Sequence, residues 1–274
     1  MRNLLTIDAI ISQEIDPAFA DRARAIANAV SQKSPKRILD AGCGRGFYPK
    51  LLSYFDFPIK IIGIDISKRY VKKAKSLTKN DSRVLIRQGS IYKTGLPSKS
   101  IDCIICSEVL EHLDDPSAAL VEFSRLLKPK GILLISVPHD NFPFFWDPLN
   151  FLLMNLFNTH VSKDIWWLAG IWADHERLYS EDMVKDLLKT NFTIKKIDRI
   201  VSTCWPFTHF FLYAIGKNIV EKLGGKDFDR FNFTEKPLSQ FLTWFMRLPT
   251  KLKKDIKPTD RYMDMFVLAE KKGR

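Results

Sequence analysis

Short apolar runs alternate with amphipathic stretches along the first half of the chain. Largely apolar runs of strand length occur at 36–41, 59–65, 83–88, 101–106 and 132–138. Helical spacing is found at 16–32, 47–55, 67–79 and 116–127. Apolar strands are typical of buried parallel sheets, and regular alternation with helices places those helices on both faces. The pattern predicts an α/β fold with a doubly wound, mostly parallel sheet.

The pattern changes after Pro138. A helix at 181–189 and strands at 192–201 and 261–270 complete a seven-stranded sheet, but two aromatic-rich stretches between these elements lack clear periodicity. We interpret residues 1–274 as a single domain with two insertions. The first, 141–174, follows the fifth strand. The second, 202–260, separates the last two strands, and we expect both to form a lid or a membrane-facing cap.

Several helix and strand starts carry local signals. Asp16 and Ser67 stand where a capping side chain is expected, and Ser180 does so before the helix at 181–189. The segment Lys128-Pro129-Lys130-Gly131 has the composition of a turn, which predicts that the fifth strand begins at Ile132.

A glycine-rich segment follows the first strand: Leu39-Asp40-Ala41-Gly42-Cys43-Gly44-Arg45-Gly46. Glycines let a ligand approach the backbone, and the amides of the following helix start are expected to face it. An acid before the first glycine suits an ammonium group better than a pyrophosphate. A dinucleotide loop would also need glycine at position 47, where Phe47 stands.

The ordered set of motifs resembles the class I S-adenosylmethionine-dependent methyltransferases, the broad group that includes small-molecule, quinone and lipid methyltransferases. Besides the glycine loop, the motifs are Gly63-Ile64-Asp65-Ile66-Ser67, Ile101-Asp102-Cys103-Ile104-Ile105-Cys106-Ser107-Glu108-Val109-Leu110-Glu111-His112 and Leu126-Leu127-Lys128-Pro129-Lys130-Gly131-Ile132-Leu133. The resemblance is strongest over 37–138 and returns at 175–201. It implies a Rossmann-like fold and S-adenosylmethionine as cofactor.

The resemblance also implies which residues bind the cofactor. The amino-acid and ribose portions are assigned to Asp40, Gly42, Cys43, Gly44 and Gly46, and the methionine portion to Ser107 and Glu108. Asp65 ends the second strand, where an acid can accept hydrogen bonds from both ribose hydroxyls.

The adenine end departs from the family pattern. Ser90 stands where the family often has an acid, and a hydroxyl is a weaker acceptor than a carboxylate. The backbone amide of Ile91 is assigned to a ring nitrogen of the adenine. Ile66 is assigned to the adenine face, with a plain core position as the alternative.

Two histidines are candidates for a base that deprotonates a hydroxyl acceptor. His139 directly follows the fifth strand, and His175 lies in a segment that resembles the acceptor side of family members. For each, a structural histidine is the alternative, and substrate positioning alone is a third possibility. Glu111 and His112 recur in the family segment, and His112 is interpreted as structural.

No metal site is predicted. Cys103 and Cys106 form a C-x-x-C pattern, but residues three apart on a strand point to opposite faces. We interpret the four cysteines as small buried residues in a reducing cytoplasm.

The formal net charge of +12 predicts an anionic partner. Nucleic-acid methylation is disfavoured, because neither an Asn/Asp-Pro-Pro-aromatic motif after the fourth strand nor a Pro-Cys nucleophile occurs. Aromatic residues beside lysines in the insertions suit the inner face of an anionic membrane, with a lid over an apolar acceptor as the equal alternative. The sequence predicts a cytoplasmic enzyme that methylates a hydrophobic or lipid-linked small-molecule acceptor, preferably on oxygen. RNA or DNA modification and cofactor binding without catalysis stay open as alternatives.

Overall fold

Seven strands form one sheet in the computed structural model, which describes residues 2–165, 168–201, 203–208, 237–252 and 260–273. The strands are β1 Arg37–Ala41, β2 Lys60–Asp65, β3 Val84–Gln88, β4 Ile101–Ser107, β5 Leu127–Pro138, β6 Phe192–Ile200 and β7 Asp264–Lys271. Their order across the sheet is β3-β2-β1-β4-β5-β7-β6. β1 to β5 are parallel, and β7 runs antiparallel between β5 and β6. The prediction of a seven-stranded, mostly parallel sheet is confirmed.

The helices cover both faces of this sheet. In the described part of the chain they are α1 Arg2–Ser12, α2 Pro17–Lys33, α3 Phe47–Leu52, α4 Lys68–Thr78, α5 Pro116–Leu126, α6 Pro148–Phe157, α7 Glu181–Leu188 and α8 Pro237–Leu252. The order of the strands reverses between β1 and β4. In open α/β sheets a crevice forms outside the carboxyl ends of the strands at such a point, and ligands bind there.

The core has two layers, one on each face of the sheet. Cys103 and Ile105 of β4 pack into the layer that includes α1 and α2, whereas Ile104 and Cys106 pack into the layer that includes α5. Cys103 and Cys106 therefore point to opposite faces, as predicted. All four cysteines are buried, and none of them forms a disulfide bond in the described part of the structure.

The predicted bounds of three elements need correction. β7 begins at Asp264, not at residue 261. β5 begins at Leu127, not at Ile132, because Leu127 pairs with Ile101 and the ladder resumes after an irregularity. The turn-like composition at 128–131 nevertheless corresponds to a local irregularity, since Lys130 has a left-handed φ of +63°. α3 ends at Leu52 and does not extend to residue 55.

Three helices lie where the sequence pattern was not recognised as helical. α1 precedes the first predicted helix, α6 lies in the insertion at 141–174, and α8 lies in the insertion at 202–260. Trp166, Trp167 and most of the second insertion are outside the described residues. Among the helices described above, none combines the length and the apolar character needed to cross a membrane.

Candidate active site

The glycine loop is fixed to the end of β2 by its own backbone. The amides of Gly42 and Cys43 donate to the carbonyl of Ile64 at 2.8 and 3.0 Å, and the amide of Gly46 donates to the carbonyl of Cys43 at 2.9 Å. The Gly44 amide donates to Oδ2 of Asp65 at 2.8 Å. These four amide donors are already used within the protein. We therefore expect a ligand to contact the exposed surface of the loop and the carboxylates of Asp40 and Asp65.

The three loop glycines all have positive φ angles, but their surroundings differ. A Cβ on Gly42 would overlap Val109, and one on Gly46 would lie 2.8 Å from Cβ of Ala74. These two glycines are therefore needed for close packing within the fold. A Cβ on Gly44 would meet nothing within 4 Å, so this face of the loop is the one that a ligand can approach.

We expect Gly44→Ala to weaken binding of S-adenosylhomocysteine, the product form of the expected cofactor, while the fold is retained. The added methyl group projects into open space, so we expect it to meet only a bound ligand. The left-handed φ of +51° costs an alanine about 1–2 kcal/mol. Gly95→Ala is the matched control, because Gly95 has a φ of +70° and nothing closer than 3.9 Å to its added Cβ. Equal calorimetric affinity of the two variants would contradict this placement.

Asp65 joins the glycine loop to the start of α4. Its Oδ2 accepts from the Gly44 amide, and its Oδ1 accepts from the Ser67 amide at 2.8 Å. Each carboxylate oxygen can accept a second hydrogen bond. The side chain is thus held in one orientation with acceptor capacity left for the two ribose hydroxyls.

Asp40 is buried beneath the loop. Its Oδ2 has no hydrogen-bond partner among the described residues. Burial, together with the nearby charge of Asp65, raises the pKa of Asp40 to about 8. A neighbouring ammonium group would stabilise the ionised form, so this buried carboxylate fits the amino-acid end of S-adenosylmethionine.

The predicted adenine-binding residues lie in three different environments. Ile66 is 77% exposed, which excludes the alternative of a core position and leaves an apolar surface beside Asp65. Ser90 Oγ accepts from the Tyr92 amide at 3.2 Å. The side chain of Ile91 is buried in the core layer.

Ser107 and Glu108 belong to a polar network at the carboxyl end of β4. Ser107 Oγ lies 3.1 Å from the Tyr48 hydroxyl and 2.7 Å from Ser136 Oγ. Ser136 in turn donates to Oε1 of Glu108 at 3.0 Å. Glu108 adopts a left-handed φ of +54°, which marks it as a strained position next to the crevice. Sequence reasoning missed Tyr48 and Ser136.

Sequence reasoning also missed a buried ion pair that closes this network. Arg22 of α2 donates to Asp264 at the start of β7, and both side chains are almost fully buried. Arg22 Nη1 also lies 3.5 Å from Oε2 of Glu108. Burial raises the pKa of Asp264 well above its usual range, and the Arg22 charge opposes this shift.

The two histidines predicted as bases have different neighbours. His139 follows β5, stacks on Tyr262 with ring centroids 3.8 Å apart, and lines an open groove of about 380 Å³. Burial lowers the pKa of His139, so the ring is neutral near pH 7 and can accept a proton. His175 instead packs edge-on against His112, with centroids 4.8 Å apart.

Glu111 is a further buried acid near the crevice. It is fully buried, and neither carboxylate oxygen has a hydrogen-bond partner in the described part of the structure. Burial and the neighbouring Glu108 raise the pKa of Glu111 well above its usual range. The sequence shows only that Glu111 belongs to a segment that recurs in the family, and it predicts no role for this residue.

The chain is similar in sequence to known methyltransferases. Residues 39–135 match a family model described as a methyltransferase domain. A probable S-adenosylmethionine-dependent methyltransferase of Mycolicibacterium smegmatis is 33% identical over 102 residues, which are 37% of this chain and 38% of that protein. The malonyl-[acyl-carrier protein] O-methyltransferase of Halalkalibacterium halodurans is 28% identical over 157 residues, 53% of this chain and 58% of that protein.

Solved structures agree at the level of the fold. The crystal structure of an S-adenosylmethionine-dependent methyltransferase from Mesorhizobium loti superposes with a TM-score of 0.56 at 16% identity, covering 91% of this chain and 97% of that chain. The two sequence relatives are matched over less than two thirds of their own length. Residues 39–135 thus match a methyltransferase domain, and the relatives of this chain include S-adenosylmethionine-dependent methyltransferases.

Proposed function

We propose that the protein transfers the methyl group of S-adenosylmethionine to an oxygen of a hydrophobic or lipid-linked small molecule. The observation that carries the methyl-transfer part is the cofactor cradle: an open face at Gly44, an anchored Asp65 and a buried Asp40 oxygen without a partner in the described residues. Oxygen is preferred as the acceptor atom because one matched relative is an O-methyltransferase.

The residues of the cradle act mainly by positioning. S-adenosylmethionine supplies a methyl group that is already activated by its sulfonium. Asp65 would hold the ribose and Asp40 the ammonium group, at the crevice outside the carboxyl ends of the strands. A neutral His139 at the end of β5 is proposed to take the proton of the acceptor hydroxyl, with His175 as the second candidate.

The first insertion supplies the apolar surface that supports a hydrophobic acceptor. α6 has no charged residue, and its side chains at positions 149, 152 and 156 are exposed leucines that follow helical spacing. Phe144 and Phe145, just before this helix, are also exposed. Exposed apolar side chains grouped in this way are typical of a membrane contact or an apolar ligand site.

α8 presents a second exposed apolar face. Its polar side chains dock on the end of α1, where Thr243 Oγ1 donates to the Gln13 carbonyl at 3.3 Å and Arg247 to the Ser12 carbonyl at 3.0 Å. Phe241, Trp244 and Phe245 are exposed. Together with the net charge of +12, these aromatics support contact with the surface of an anionic membrane on the cytoplasmic side.

The acceptor class is tested by following a labelled methyl group. The protein is incubated with S-adenosylmethionine that carries a radioactive methyl group, together with vesicles made from a bacterial lipid extract. We expect label in the organic phase, and none with Asp65→Ala. His139→Asn and His175→Asn are assayed in parallel across pH, because loss of transfer in one of them shows which histidine the reaction needs.

The other outcomes of this assay decide between the alternatives. Label that enters RNA or DNA, with none in lipid, would replace the proposal by nucleic-acid modification. Unchanged transfer in both histidine variants would show that positioning suffices. Binding of S-adenosylhomocysteine without transfer to lipid, nucleic acid or a small-molecule extract would support a cofactor-binding protein without catalysis, since a fold does not imply an activity.

A further inference from the structure

Three potential metal ligands converge beside the crevice. One ligand atom each from Glu111, His112 and His175 lies within 4.8 Å of the others. Glu111 and His112 belong to a single 3-10 turn, Leu110–His112, which begins three residues after the end of β4. His175 arrives from the end of the first insertion, and the Glu176 amide fixes this segment by donating to the carbonyl of Glu111 at 2.9 Å.

His112 is oriented as metal-ligating histidines commonly are. Its Nδ1 lies 2.7 Å from the carbonyl oxygen of Asp174. Because a carbonyl oxygen only accepts, Nδ1 carries the proton and Nε2 carries the lone pair. Nε2 points towards Glu111, whose Oε1 is 3.8 Å away. A ligand histidine typically donates its other ring N–H to a carbonyl or carboxylate in this way.

Glu111 is a buried carboxyl group that lacks a hydrogen-bond partner among the described residues. This is true of both carboxyl oxygens, and the residue is fully buried. A buried carboxyl group that faces an imidazole lone pair can share a proton with it or bind a cation that lies between the two groups. His112 is partly exposed, so the cluster has access from solvent.

We propose that Glu111, His112 and His175 bind a divalent transition-metal ion. Two imidazoles and one carboxylate are a ligand set for Mn²⁺, Fe²⁺, Co²⁺ or Zn²⁺, and three protein ligands leave positions open for a substrate oxygen. The sequence alone predicts no metal site, because His175 lies 63 residues after His112 in the chain.

The proposed metal could activate the acceptor for methyl transfer. This role rests on the proposed function. An acceptor hydroxyl bound at an open position would lose its proton to water more easily. The oxygen then forms its bond to the methyl carbon while the carbon–sulfur bond breaks and its electron pair returns to sulfur. Such a site would supply the acceptor activation otherwise assigned to a histidine base.

The test measures metal binding without cofactor or acceptor. Full-length protein is stripped with a chelator and titrated with Co²⁺, whose visible absorption reports ligation. We expect one ion per chain, and at least about tenfold weaker binding by Glu111→Gln, His112→Asn and His175→Asn. His160→Asn is the matched control, because His160 stacks on Trp172 and lies outside the cluster.

Thermal unfolding gives an independent readout if one variant folds poorly. Co²⁺ is expected to raise the Tm of the wild type and of His160→Asn, but not that of His175→Asn. Wild-type protein that holds no more Co²⁺ than His175→Asn would overturn the metal site. That result would leave methyl transfer intact, whereas lost binding of S-adenosylhomocysteine would overturn the proposed function and not the metal site.

Discussion

Asp65→Ala is expected to weaken binding of S-adenosylhomocysteine by about 10²- to 10⁴-fold. Each hydrogen bond to a charged group contributes about 1.5–3 kcal/mol, the ribose offers two, and about 1.4 kcal/mol corresponds to a tenfold change. The substitution also releases the Gly44 and Ser67 amides that the carboxylate holds. Isothermal titration calorimetry with S-adenosylhomocysteine measures the change.

Two controls separate this effect from loss of charge and from loss of the helix cap. Asp56→Ala removes an exposed acid just before β2. Ser67→Ala removes the side-chain cap of the Tyr70 amide and should cost about 1 kcal/mol of stability without loss of binding. An affinity of Asp65→Ala within threefold of either control would show that Asp65 does not bind the ribose.

Arg22→Met is expected to lower the free energy of unfolding by about 3–5 kcal/mol, because it leaves Asp264 buried without its counter-charge. Burial already raises the pKa of Asp264, and Arg22 supplies the main opposing charge. Glu108 would lose the same neighbour. Urea unfolding at neutral pH measures the loss.

The double variant Arg22→Met, Asp264→Leu tests whether the loss of stability in Arg22→Met comes from an unpaired Asp264. Replacing both members of a buried pair by apolar residues of similar size is often neutral, so most of the lost stability should return. A single Arg22→Met variant as stable as the wild type would mean that Asp264 is neutral in the folded protein and that the ion pair contributes little.

Capping residues explain why several helix starts could be predicted. Asp16 accepts from the amides of Ala18 and Phe19 at the start of α2, and Ser67 caps α4, as expected. The same signal was available for α6, because Asp147 precedes a proline and accepts from the Asn150 amide. It was missed because the aromatic residues around it obscured the helical spacing.

The site was predictable only where its residues are close in sequence. The glycine loop and Asp65 come from one strand–turn–helix–strand unit, so a motif identifies them. Arg22 and Asp264 are 242 residues apart, and nothing local in either segment indicates that they pair. The cluster of Glu111, His112 and His175 likewise depends on an insertion that folds back onto the turn after β4.

We infer that the glycine loop and Asp65 form a site for S-adenosylmethionine. Calorimetric titration of the wild-type protein with S-adenosylhomocysteine, with NAD as the competing nucleotide, measures this directly. We expect saturable binding of S-adenosylhomocysteine at a single site per chain and no binding of NAD. Absence of S-adenosylhomocysteine binding, or equal affinity for NAD, would contradict the assignment.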